Sequence, residues 1–238
     1  MAREQLIAMA YHWNEFDDRA ALAFALSGKV AALLARSVER RGTALLAVSG
    51  GTTPAKFFAA LSREQIAWNK VIVTLIDERF VPASSPRSNA GLVAANLLQN
   101  AAAAARFVPL YHEAASIEDA ARADNEELKA LPWPLDVAIL GMGGDGHTAS
   151  FFPDADTLPT LLDPASPRIV LPVHAVSAGE PRLTLSAARI LEADFVAVHI
   201  EGAEKRAAFD EAMGPGPKKP IRAVLDAAPV PAEIYWAP

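Results

Sequence analysis

Apolar residues in this chain gather into short runs, and polar, glycine-rich segments separate the runs. Residues 43–48 (Thr-Ala-Leu-Leu-Ala-Val), 71–76 (Val-Ile-Val-Thr-Leu-Ile), 135–140 (Leu-Asp-Val-Ala-Ile-Leu) and 195–200 (Phe-Val-Ala-Val-His-Ile) are almost wholly apolar. Runs of this length and kind predict strands buried on both faces, as in a parallel sheet. Residues 6–10, 169–172 and 233–236 predict three more short strands, and the alternating stretch Arg182-Leu183-Thr184-Leu185 leads into a helix start.

Helical patterns stand between the runs. Phe16 followed by Asp17 and Asp18 reads as a staple residue and capping acids for a long Ala/Leu-rich helix that reaches Arg41 and ends near Gly42. Residues 55–61, a segment opening at Ser88-Asn89, a segment from Ser116 to Leu131, and one from Gly202 to Met213 predict further helices. Residues 101–105 are low-complexity alanine, a helix end or a linker. The chain is loop-rich from Pro153 to about Pro167, and residues 214–220 read as a flexible or polyproline-like loop. Strand and helix patterns alternate throughout. That predicts an α/β fold: a doubly wound, mostly parallel sheet with helices on both faces. With no internal repeat and no linker signal, residues 1–238 read as one domain.

Three polar loops follow three of the buried runs, and parallel strands would bring all three to one edge of the sheet. The first is Ser49-Gly50-Gly51-Thr52-Thr53-Pro54. Free amides at a helix start, with hydroxyls beside them, suit a phosphate, and Pro54 suits a first helical turn. No Lys follows the second glycine, so this is not a Walker loop. The second loop, Asp77-Glu78-Arg79-Phe80-Val81-Pro82, puts three charges at a strand end, where burial is expensive unless they are paired or used. The third is Gly141-Met142-Gly143-Gly144-Asp145-Gly146-His147-Thr148-Ala149-Ser150. Its four glycines let backbone approach a ligand closely, and an acid and a histidine stand two apart within it.

Composition narrows the partners. Hydrophobic residues at 52% against 21% charged supply a sizeable core, so disorder is not expected. The chain has no cysteine, which removes disulfides and thiolate metal sites and fits a reducing compartment. A net charge of −6 argues against nucleic acid as the main partner, and an anionic substrate would need a local cluster of Arg and Lys. No apolar run approaches membrane-spanning length and no signal pattern opens the chain, so a cytoplasmic protein without membrane contact is expected.

The three segments in this order resemble the 6-phosphogluconolactonase family, whose signatures are a Ser-Gly-Gly-Ser/Thr-Thr-Pro loop, Asp-Glu-Arg-x-Val-Pro and Gly-x-Gly-x-Asp-Gly-His-Thr-Ala-Ser-x-Phe-Pro. Here they stand at 49–54, 77–82 and 141–153. Weaker similarity covers Ser88-Asn89, Pro181-Arg182-Leu183-Thr184, residues 202–205 and Trp236. One departure is Gly179-Glu180, where the family often carries a Lys. The cation expected there is missing or supplied elsewhere.

The resemblance implies a fold shared with ribose-5-phosphate isomerases and glucosamine-6-phosphate deaminases. It also implies hydrolysis of 6-phospho-D-glucono-1,5-lactone to 6-phosphogluconate, with no cofactor, no metal and no covalent intermediate. His147 is expected as general base toward water, an imidazole pKa of about 6.5 suiting neutral pH, with Asp145 orienting it. Arg79 and Asp77 join these two as catalytic candidates. Ser49, Gly50, Gly51, Thr52, Thr53, Gly143, Gly144, Arg182 and Lys205 are expected to bind substrate and its phosphate, and amides of the 141–147 loop to hold the tetrahedral oxyanion. His12, His112 and His174 read as surface or structural, and His199 as a core or edge residue. A monomer is expected.

Two alternatives stand beside this reading. A glucosamine-6-phosphate deaminase shares the Ser-Gly-Gly loop and Asp-Gly-His, but its proton-handling Glu falls here on Phe152, which cannot transfer protons. A non-catalytic sugar-phosphate-binding module of the transcription-regulator kind would carry a helix-turn-helix, for which this chain has no spare length or basic charge.

Overall fold

The computed structural model describes residues 11–238; the strand expected over 6–10 lies outside them. The described strands are β1 (Tyr11–Glu15), β2 (Ala44–Val48), β3 (Val71–Leu75), β4 (Asp77–Arg79), β5 (Arg106–Val108), β6 (Val137–Leu140), β7 (Val170–Val173), β8 (Arg182–Leu185), β9 (Val196–Glu201) and β10 (Ala232–Ala237). The helices are α1 (Arg19–Arg41), α2 (Ala55–Leu61), α3 (Asn89–Asn96), α4 (Ile117–Leu128), α5 (Leu158–Leu161), α6 (Ala187–Leu191), α7 (Ala203–Met213) and α8 (Pro220–Ala227).

Seven strands form one sheet in the order β1-β10-β9-β6-β2-β3-β5, and every pair in it is parallel. All residues of β2 and β6 are buried, as expected of unalternated apolar runs in the middle of a parallel sheet. Helices cover both faces. Glu233 and Ile234 point to opposite sides of β10. On the Glu233 side, Lys29 of α1 reaches Glu233 Oε1 at 3.3 Å. On the Ile234 side, Trp13 pairs with Ile234, and Phe209 of α7 packs against Tyr11 and Trp13 with 5.3 Å between ring centroids in each case.

Helix α1 starts and stops where its caps dictate. Asp18 accepts from the amides of Ala20 and Ala21 at 2.8 Å, and Gly42 closes the helix in the left-handed conformation at φ 78°. Over 23 residues this helix is long and apolar enough to cross a membrane by length and composition, which corrects the expectation that no apolar run approaches that length. Its apolar stripe, Leu22, Leu26, Val30 and Leu34, is buried in the core.

A second, three-stranded antiparallel sheet, β4-β8-β7, was not part of the expected architecture. Residues 77–79, expected as a loop, form its strand β4, and the strand expected at 169–172 runs from Val170 to Val173 within it. The chain passes between the sheets at Ile76, whose amide donates to Val48 O at 2.9 Å while its carbonyl accepts from Leu185 N at 2.8 Å. Strands β1 and β5 also went unforeseen. Both are edge strands, and β1 reads Tyr-His-Trp-Asn-Glu, so its pairing with β10 rather than an apolar run defines it. Helix α4 ends at Leu128 instead of Leu131, and the alanine tract forms a 3-10 helix, Asn100–Ala104.

Candidate active site

Parallel strands deliver the three loops to one cleft at the carboxyl edge of the sheet. Ser49, Gly50, Gly51, Thr52 and Thr53 reach it from the end of β2, and Asp77 and Arg79 from just beyond β3. Gly143 and His147 come from beyond β6, Arg182 from β8 and Lys205 from the start of α7; all of these line the cleft. Gly144 and Asp145, also expected in the site, are not among its lining residues.

Asp145 bears on the cleft through His147. Its Oδ1 lies 2.6 Å from His147 Nδ1 and accepts the His147 amide at 3.1 Å. Burial pushes the Asp145 carboxyl up, but the His147 ring and its amide outweigh burial and hold it below the usual carboxylate range. A carboxylate on Nδ1 fixes the tautomer with Nδ1–H donating, so the Nε2 lone pair is left to take a proton. Phe152 packs against the ring with centroids 4.4 Å apart. Gly143 leaves room for it: a Cβ at that position would stand 2.2 Å from His147 Nδ1 and Cε1.

The glycine loop spends several of its amides internally. Gly143 N donates to His147 O at 2.8 Å, and Gly146 N to Gly143 O at 3.1 Å. The expected donors to a tetrahedral oxyanion therefore narrow. Gly141 and Met142 line the cleft, and their amides donate to no acceptor among the described residues.

The second loop divides its three charges between structure and cleft. Glu78 is fully buried and caps α3: its carboxylate accepts from the amides of Asn89 at 2.8 Å and Ala90 at 2.7 Å and from Ser88 Oγ at 2.9 Å. Burial pushes this carboxyl up while those hydrogen bonds pull it down. Asp77 accepts from Ser150 Oγ at 2.6 Å. Among the described residues it makes no ion pair with Arg79.

Arg79 and Arg182 face each other across the β4–β8 ladder. The Nε of each is buried without a partner among the described residues. Burial, and next the Arg79 charge, hold the Arg182 guanidinium below its ordinary pKa, although Asp77 and Glu180 oppose this. Two cations kept this close with unspent donors make an anion site. Arg182 also lies over the Phe152 ring at 5.6 Å, so Arg182, Phe152 and His147 stack in sequence. At the Gly179-Glu180 departure the rim carries Glu180, 2.7 Å from Arg87 and 3.9 Å from Arg182. Arg87 is paired with that carboxylate and does not line the cleft.

Three residues of this region were not among the expected site residues. Asn89 lines the cleft and donates to Asp77 O at 2.8 Å; a Cβ on Gly50 would collide with its side chain at 1.9 Å, so Gly50 and Asn89 need each other. Arg87 gave no signal. His199 is buried in β9, as a core residue should be, yet it also lines the cleft. His112 Nε2 lies 3.0 Å from Asp124 Oδ1 and His174 Nε2 lies 2.8 Å from Glu118 Oε1, away from it.

Residues 17–236 match the family model described as glucosamine-6-phosphate isomerases/6-phosphogluconolactonase. A 6-phosphogluconolactonase of Mesorhizobium japonicum is 74% identical over 238 residues, covering all of both chains. One of Rhizobium meliloti is 50% identical over 97% of this chain and 100% of its own. The crystal structure of a 6-phosphogluconolactonase from Shewanella baltica superposes with a TM-score of 0.92 at 37% identity, over 96% of this chain and 98% of that one. With the three loop signatures meeting in one cleft and identity running the length of the chain, the protein belongs to the 6-phosphogluconolactonase family.

Proposed function

We propose that this enzyme hydrolyses 6-phospho-D-glucono-1,5-lactone to 6-phospho-D-gluconate, the second step of the oxidative pentose phosphate route. Its partner is a small sugar-phosphate lactone, and neither metal nor covalent intermediate takes part. The observation that carries the reading is His147, oriented through Nδ1 by Asp145 with no partner on Nε2 among the described residues, in a cleft that also holds Arg79, Arg182 and Lys205.

In this reading His147 Nε2 removes a proton from water while the water oxygen attacks C1 of the lactone. The carbonyl oxygen becomes an oxyanion, met by the amides of Gly141 and Met142. The bond from C1 to the ring oxygen then breaks, and the imidazolium returns its proton to that oxygen. The phosphate rests on the 49–53 loop. Lys205 offers a point charge, and Arg79 and Arg182 offer planar guanidinium donors. Asp77, held by Ser150, contacts sugar hydroxyls. Residues 1–238 act as one domain and as a monomer, in the cytoplasm.

The deaminase alternative is disfavoured by Phe152. That ring fills the place of the deaminase Glu and packs on His147. The test is an assay of the wild-type chain on two substrates: 6-phosphogluconolactone made in place from glucose 6-phosphate, and glucosamine 6-phosphate. Acceleration of the first alone is expected. Release of ammonia from the second would overturn the reading.

A further inference from the structure

We propose that His199 is a further substrate-binding residue, whose imidazole meets the phosphoryl group held by the 49–53 loop; this rests on the lactonase reading of the cleft. Strand β9 runs beside β6 with Val198 paired to Leu140, so His199 stands level with Gly141, one step further along. Ser49 stands over the same glycine, its Cβ 4.0 Å from where a Gly141 Cβ would be. Phe57, in the helix that continues from the 49–53 loop, meets the His199 ring edge-on with centroids 6.0 Å apart. Glycine at 141 therefore leaves the floor between the loop and the imidazole clear of side chain.

The ring is held as a ligand group would be. His199 is 3% exposed, and its Nε2 lies 3.1 Å from Glu201 Oε1. Glu201 in turn pairs with Arg19 at 3.4 Å. With Nε2–H directed at that carboxylate, Nδ1 is the nitrogen left for a ligand. Among the described residues Nδ1 is buried and unpartnered, and so is Ser49 Oγ on the other side of Gly141. A packed core seldom leaves two such atoms beside one cleft. An oxygen of the phosphoryl group completes both. That oxygen takes one charge-assisted hydrogen bond from the imidazole N–H and another from the Ser49 O–H. Lys205, at the start of the helix that follows β9, lines the same cleft and adds a positive charge.

The test compares wild type, His199→Phe and His199→Gln on 6-phosphogluconolactone and on unphosphorylated glucono-1,5-lactone, with 6-phosphogluconate as competing ligand. Loss of one charge-assisted bond predicts that His199→Phe raises KM for the phosphorylated lactone and Ki for 6-phosphogluconate about tenfold. The change in kcat should be smaller, the preference for the phosphorylated lactone should fall, and His199→Gln should recover part of the loss. KM and Ki within twofold of wild type would overturn the proposal. Proportional losses on both lactones would overturn it too, since they are what a packing role predicts. A wild-type enzyme inert toward the lactone would instead overturn the lactonase reading itself. If neither variant folds, nitrogen NMR of the ¹⁵N-histidine wild-type chain decides. 6-Phosphogluconate should shift the ring nitrogens of a second histidine besides His147, and a shift confined to His147 overturns the proposal.

Discussion

His147 Nδ1 and Asp145 Oδ1 stand 2.6 Å apart, two residues from each other in one glycine-rich loop. That contact fixes which ring nitrogen holds the proton, and with it the direction in which the imidazole can act as base. Asp145→Asn keeps the size of the side chain but removes the charge and the fixed tautomer. It should lower kcat by about 10²-fold with little change in KM. Steady-state kinetics on the phosphorylated lactone check this, and an unchanged kcat would remove Asp145 from the mechanism.

Gly143 keeps clear the space that the His147 ring fills. A methyl group there would stand 2.2 Å from the His147 ring, so Gly143→Ala must displace the ring or the loop. The loss of kcat should be at least about tenfold and should far exceed any loss of stability. Parallel measurement of turnover and thermal midpoint separates the two. A variant with normal turnover would mean that the ring position tolerates displacement.

Glu180 competes for the cation that the substrate needs. Its carboxylate lies 3.9 Å from Arg182 and 2.7 Å from Arg87. Glu180→Gln should free both guanidinium groups and tighten inhibition by 6-phosphogluconate about threefold, an effect that salt screens. Weaker inhibition would show that Glu180 chiefly positions Arg182.

Asp124 gives the fold a pH dependence of its own. It is fully buried on α4, and burial first, then Glu127, push its carboxyl from 3.8 up to about 8. The folded state therefore binds a proton that the unfolded state releases between those values. This contribution to stability is fully present below about pH 4 and is lost as pH rises through about 8. At full effect the slope is one proton, about 1.4 kcal/mol per pH unit. Asp124→Asn should flatten it, and urea unfolding between pH 5 and 8 is the measurement. An identical slope in the variant would place the proton elsewhere.

Much of this was legible in the sequence, for reasons that differ from element to element. Strands β2 and β6 announce themselves because both faces of a central parallel strand are apolar. Strand β1 does not, because an edge strand is set by its partner and its polar residues fit a loop equally well. Helix α8 carried a signal that went unread: Pro220 at its first turn, then Ile221, Val224 and Leu225, all buried, at helical spacing. The three loops are contiguous, so the residues they carry could be picked out before any fold was known. Asn89 was picked out only through the family resemblance and His199 only as a core or edge residue; register and packing bring both to the cleft.

The central claim is that His147 performs the chemistry in this cleft, and the most direct measurement is the rate of 6-phosphogluconolactone hydrolysis by wild type and by His147→Ala, each set against the spontaneous rate. The account predicts strong acceleration by wild type and a loss of about 10²-fold or more in the variant, with 6-phosphogluconate still bound and the unfolding transition kept. A variant that hydrolyses the lactone at the wild-type rate would contradict it.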